Sequence, residues 1–205
     1  MLEPEMQSPL HALALPALAK PMDASAGVWA NEVPLLGYIS LRGNAADGAF
    51  STAVSGVLGV APPVKACTFV RSGAVKVLWL SPDEWMIACP RTDRARLLCG
   101  LAGALVGIKS QVSDNSGGYT QIVLHGPSAA AVLGHTTVYN VAALGPDQVV
   151  GTTLGKSSVY LHRLGDGYCL LLRRSFADYI WLYVVRAAGP YAFGMARLDA
   201  AGDAA

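Results

Sequence analysis

Charge is what this chain has least of. Only 14% of its 205 residues are Asp, Glu, Lys or Arg, against roughly 25% in an average soluble domain. The formal net charge is +1, with no basic cluster beyond Arg173-Arg174. That balance argues against nucleic acid, whose footprint is a basic stripe. So few charges cover the outside of a free monomer poorly. They point to an exterior partly hidden against another protein, with a compact domain rich in small residues as the plainer alternative.

Long apolar runs are missing too. The stretch 179–192 contains Arg186 and Pro190 and falls short of the ~20 apolar residues needed to cross a bilayer. The opening Met1-Leu2-Glu3-Pro4-Glu5-Met6 is acidic where a secretion leader is basic. Both readings lead to the expectation of a cytoplasmic chain. The four cysteines, Cys67, Cys89, Cys99 and Cys169, show no C-x-x-C spacing of the kind zinc sites use. Reduced, buried thiols are expected, with Cys89 and Cys169 inside apolar strand-like runs.

Several catalytic signatures are absent as well. No G-x-G-x-x-G loop is present for a flavin or dinucleotide. The run Gly151-Thr152-Thr153-Leu154-Gly155-Lys156-Ser157 has three residues between its glycines where a phosphate loop has four. It also leads into a strand, so no helix N-terminus faces an anion. Gly126-Pro127-Ser128-Ala129-Ala130 lacks the second glycine of a nucleophile elbow. His11, His125, His135 and His162 are scattered; His125 and His135 are ten apart, with no carboxylate at ligand-like spacing to either. They read as surface or hydrogen-bonded histidines, with His162 alternating outward on a strand.

What the chain does have is a copy of itself. Gly43 and Gly126, Asp83 and Asp166, Leu78 and Leu161, and Arg91 and Arg174 are all separated by 83 residues. One offset running through strand, turn and strand implies two related half-domains, because the period exceeds those of solenoid repeats. Residues 1–28 read as an extended arm with a short helical piece around Leu10 to Leu18, and 198–205 as a flexible tail. Between them, 29–110 and 111–197 form the two halves.

In the first half, Val33 to Arg42 reads as a strand and Ala45 to Leu58 as a helix capped by Asn44. A hairpin then turns through Ser81-Pro82-Asp83-Glu84, and a helix from Asp93 to Leu105 is capped by Thr92. In the second, Tyr119 to His125 is a strand and Ala129 to Leu133 a short helix after Ser128. Ser158 to Arg173 is a hairpin, and a helix runs from Phe176 to Ala187 after Ser175. Each copy is thus βαββα, and the fold class is α+β with antiparallel sheets and packed helices.

Two places carry groups that could hold a ligand. Ser113-Asp114-Asn115-Ser116-Gly117-Gly118 offers a carboxylate, an amide and hydroxyls on a flexible backbone. The same residue types also cap and turn a chain with no ligand at all. Arg173 and Arg174, at a strand end beside a helix start, could grip a carboxylate or phosphate, or equally pair with acidic residues of a partner or with Asp178.

These stretches carry a resemblance. Arg173-Arg174-Ser175-Phe176-Ala177-Asp178-Tyr179-Ile180-Trp181, with Val112-Ser113-Asp114-Asn115-Ser116 and Leu124-His125-Gly126-Pro127-Ser128, resembles the gamma subunit of heterotetrameric sarcosine oxidase. Ser81-Pro82-Asp83-Glu84-Trp85 and Ser8-Pro9-Leu10 are similar to that family too. The family is distantly similar to the folate-binding region of aminomethyltransferases, whose tandem halves agree with the duplication.

The resemblance implies a partner role in the oxidative demethylation of an N-methyl amino acid, with no catalytic residue, cofactor or metal on this chain. It places FAD, FMN, NAD, zinc and tetrahydrofolate on the alpha, beta and delta subunits. Asp114, Arg173 and Arg174 are then ligand or partner contacts at most. The arm and the helices near Leu98 and Trp181 are expected at interfaces.

The alternative is a folate-dependent one-carbon transferase acting on its own, with a pocket containing Asp114, Arg173 or Arg174. A folate-fold protein of iron–sulfur assembly is a weaker third reading, since its K-G-C-Y-x-G-Q motif is absent.

Overall fold

The computed structural model describes residues 6–199. The element order is α1 (Leu15–Leu18), β1 (Val28–Val33), β2 (Gly37–Arg42), α2 (Gly48–Leu58), β3 (Phe69–Ser72), β4 (Val75–Ser81), β5 (Glu84–Cys89) and α3 (Arg91–Ala104). There follow β6 (Gln111–Asp114), β7 (Tyr119–His125), α4 (Ala129–Gly134), β8 (Val149–Leu154), β9 (Ser157–Leu164), β10 (Gly167–Arg173), α5 (Ala177–Ala188) and β11 (Phe193–Met195). Antiparallel pairing dominates both sheets, as the α+β reading expects.

The chain divides into two compact units. One comprises 36–119 with 144–151, and the other 1–35, 120–143 and 152–205. The first unit is built on a five-stranded sheet in the order β3-β4-β5-β2-β6. Its register lines Ile39 against Ile87, Ile87 against Val77, and Leu41 against Trp85. Period-two alternation therefore gives one continuous apolar face. Phe50, Val54 and Leu58 of α2, with Leu97 and Leu101 of α3, close over that face as a buried core. Phe50 and Trp85 meet at 5.8 Å between ring centroids, and Trp85 Nε1 donates to the carbonyl of Pro63 at 2.8 Å.

The second unit is built on the sheet β11-β1-β7-β10-β9-β8. β1 runs antiparallel to β7, with Ala30 opposite Leu124, and parallel to β11, with Trp29 opposite Gly194. Ala177, Ile180, Trp181, Val184 and Ala188 of α5 are buried, at the i, i+3, i+4, i+7 spacing of a core-facing helix.

Placed side by side, the two sheets show the duplication. β2, α2, β3, β4, β5 and α3 recur as β7, α4, β8, β9, β10 and α5, in the same spatial order. The opening strand of each half departs from a simple tandem layout. β1 pairs with β7 of the second half, and β6 pairs with β2 of the first. The sequence division at 110/111 is therefore corrected: each half donates its first strand to the other half's sheet. In physical terms the strand beside β2 or β7 covers an edge that would otherwise be open, whichever half supplies it, so local pattern does not fix the donor.

Local boundaries shift for identifiable reasons. Helix α2 starts at Gly48, because Asp47 rather than Asn44 accepts the capping hydrogen bond, from the amide of Ala49 at 2.9 Å. Asn44 instead turns the preceding loop by accepting from Ala46. Neither Thr92, Ser128 nor Ser175 caps: α3 begins at Arg91 after Pro90, Ser128 makes no side-chain cap bond, and a 3-10 turn over Arg174–Phe176 precedes α5. The strand read over 33–42 is two strands parted at Pro34-Leu35.

The arm is only partly free. Its helical piece is a 3-10 turn (His11–Leu13) followed by α1, and Leu10 and Leu15 are buried in the chain's own fold. Of the expected tail, residues 200–205 lie outside the described residues, as do 1–5 of the arm.

Candidate functional site

The polar stretch after Gln111 folds as β6 and a 3-10 turn (Ser116–Gly118) rather than as an open loop. Asp114 is fully engaged there. One carboxylate oxygen accepts from Arg94 Nη1 at 2.7 Å, and the other accepts from the Ser116 hydroxyl at 2.6 Å and its amide at 3.0 Å. Ser116 Oγ in turn accepts from the Tyr38 amide at 3.0 Å, and the Asn115 amide donates to the Tyr38 carbonyl at 2.8 Å. Partial burial works against the charge, but the Ser116 hydrogen bonds and the Arg94 guanidinium outweigh it and hold the carboxyl below its ordinary range. This network pins the strand end. Both oxygens of Asp114 are thus committed to the chain's own groups, Oδ1 to Ser116 and Oδ2 to Arg94.

Arg173 and Arg174 belong to the other unit, so the two candidate clusters do not belong to one compact body. Both are exposed at the end of β10. Arg174 donates from Nη2 to the carbonyl of Gln7 at 2.7 Å, holding the arm onto the unit.

Three of the four histidines are engaged within the chain. His125 is buried and lies 3.4 Å from Asp166 through Nδ1. His135 shares a 2.8 Å hydrogen bond with the Tyr191 hydroxyl. His162 does not point outward: it is fully buried, and its Nδ1–H donates to the Arg163 carbonyl at 2.8 Å. The Gly151 to Ser157 run forms strand β8 and the turn into β9, with Thr152 hydrogen-bonded to Thr137 at 2.9 Å. Among the described residues no three His, Cys, Asp or Glu side chains gather as a metal site. No described helix is long and apolar enough to cross a membrane.

The thiols split into two classes. Cys89 and Cys169 are buried, whereas Cys67 and Cys99 are exposed, against the expectation that all four pack inside. Desolvation is the main reason that the Cys89 thiol is pushed up to about 11, with Asp93 adding to it.

Two further features stand out. The helix near Trp181, expected at an interface, carries exposed apolar groups: Phe176, Tyr179 and Leu182 around α5 are 43%, 39% and 65% exposed. Tyr179 stacks on Tyr183 at 6.0 Å. Trp181 itself is buried edge-on against Phe193, and Leu98 packs on the core of its own unit, so it is the neighbouring side chains of α5 that face outward. The periodicity of α5 carried this signal, because two adjoining apolar stripes exceed what one core can cover.

The second is Glu32, an acid on strand β1 that is only 8% exposed and accepts from Thr120 Oγ1 at 2.6 Å. A charge inside Val28-Trp29-Ala30-Asn31-Glu32-Val33 was visible, but the run was not read as a strand.

Comparison with known proteins is consistent across sequence and structure. Residues 42–189 match the model of the family "Sarcosine oxidase, gamma subunit family". The sarcosine oxidase subunit gamma of Corynebacterium sp. (strain P-1) is 29% identical over 167 residues, 78% of this chain and 80% of that one. A chain of the heterotetrameric sarcosine oxidase from Corynebacterium sp. U-96, solved with pyrrole 2-carboxylate, superposes with a TM-score of 0.80 at 26% identity. That match covers 90% of this chain and 95% of the other. Aminomethyltransferase T of the glycine cleavage system from Bartonella henselae shares the fold, with a TM-score of 0.65 at 18% identity, over 86% of this chain and 56% of its own.

Proposed function

Because the chain belongs to the sarcosine oxidase gamma subunit family, we propose that it is the non-catalytic gamma subunit of a heterotetrameric, flavin-dependent amine oxidase. It assembles with alpha, beta and delta chains and holds the flavin-bearing subunits in place while they oxidatively demethylate an N-methyl amino acid such as sarcosine. FAD, FMN, NAD, zinc and tetrahydrofolate are carried by those partners, and the complex is cytoplasmic.

The observation that carries this reading is the near end-to-end match to a chain of a heterotetrameric sarcosine oxidase. The site chemistry supports it. Asp114 and Arg174 both serve the chain's own fold, Asp114 by pinning the end of β6 and Arg174 by holding the arm. Low charge and the exposed α5 side chains supply the kind of surface that partners cover.

Turnover per flavin tests the non-catalytic part. In an assembled complex, Asp114→Asn and Arg173→Ala variants of this chain are expected to leave kcat and KM for sarcosine within about twofold of wild type, since groups outside the chemistry cost little transition-state stabilisation. A hundredfold fall in kcat at equal flavin content would place a catalytic group on this chain.

A further inference from the structure

Under the N-terminal arm lies a groove of about 410 Å³ with apolar walls from Leu10, Leu15, Pro34 and Leu35; Glu32 lines it, as does His11, which makes no ion pair with it. Among the described residues the carboxylate of Glu32 accepts one hydrogen bond, from Thr120, and pairs with no cation. A glutamate this buried is rarely left without an opposite charge, because desolvation disfavours the ion unless a cation compensates it. The arm's lysine does not supply one, since the Lys20 ammonium sits 5.4 Å from the centroid of the Trp29 ring. Trp29 and Glu32 alternate to opposite faces of β1.

We propose that this groove receives a lysine or arginine side chain from one of the larger subunits, its aliphatic stem along the apolar walls and its charge on Glu32. This deepens, and rests on, the reading of the chain as a subunit of a heteromeric complex. Long basic side chains bury their stems against apolar surface in this way. The occupant is a protein segment rather than a small amine, because Met6, which lines the groove, is 58% exposed, and the arm that walls it also exposes Leu13 and Leu18. A small amine would leave those uncovered, whereas a partner segment covers them together with the groove.

The test is assembly with the partner chains, read by native mass spectrometry on dilution, for wild type, Glu32→Gln and Ala17→Trp. Gln keeps an acceptor for Thr120 and removes only the charge. Trp at 17, a groove-lining position, fills the space and leaves Glu32 untouched. Both variants are expected to raise the dissociation constant at least about tenfold, the loss typical of truncating one member of a buried charge pair. The Tm of the isolated chain should stay within a few degrees of wild type.

Unchanged affinity in both variants overturns the proposal. So does a wild-type chain stabilised by methylammonium in a Glu32-dependent way while assembly ignores both changes, which reassigns the groove to small amines. Failure of the wild type itself to assemble refutes the subunit reading instead, so the two failures are told apart.

Discussion

At the scale of single residues, the chain uses its few polar groups to hold its own backbone. Asp114 shows this most clearly. Its folded carboxyl lies below the ordinary value, so it contributes stability that is present above the unfolded pKa and lost as pH falls through the lowered one. Asp114→Ala is expected to cost about 1 kcal/mol near neutrality, the scale of a half-exposed ion pair. In urea titrations its gap to wild type should close below about pH 4. A gap constant down to pH 2 would remove the ionic part of the explanation.

The thiols give a second check. The protonated, buried Cys89 and the buried Cys169 should resist alkylation in the native chain, while Cys67 and Cys99 react. Counting modified thiols by mass before and after unfolding distinguishes two from four. At Gly126, φ is +98° and an added Cβ would meet the Gly27 carbonyl oxygen at 2.8 Å. Gly126→Ala should therefore destabilise by about 2–4 kcal/mol, seen as a lowered Tm.

At the scale of elements, the hairpins were legible and the strand exchange was not. β4–β5 and β9–β10 announce themselves by alternation around Pro82-Asp83 and Gly165-Asp166, because turn chemistry is local. β1 and β6 are short, and their partners lie tens of residues away on the other half. No local periodicity could reveal that pairing. Nor could spacing show that Asp114 would be captured by Arg94 on α3, since their contact depends on the β2–β6 register. The run Arg173 to Trp181, from the end of β10 into the start of α5, by contrast, carried the family resemblance in one contiguous stretch.

Two predictions belong here. Phe50→Ala in α2 should cost about 3–5 kcal/mol through the cavity it leaves against Trp85, measured by denaturant unfolding. Leu182→Asp, on the exposed face of α5, should leave the Tm unchanged and lower the yield of assembled complex. Full assembly of that variant would clear α5 from the interface.

At the scale of the whole molecule, duplication and low charge fit the proposed role of a subunit packed against other chains. The fold is shared with an aminomethyltransferase, and Asp114, the acid considered for a ligand, is bound into β6 and its turn. The most direct measurement is the mass and visible spectrum of this chain expressed alone and with its partner subunits. A colourless chain that enters a yellow heterotetramer at one copy per complex, raising its yield, is the predicted result. A stable monomer that binds tetrahydrofolate and ignores the flavin-bearing chains would contradict it and restore the transferase reading.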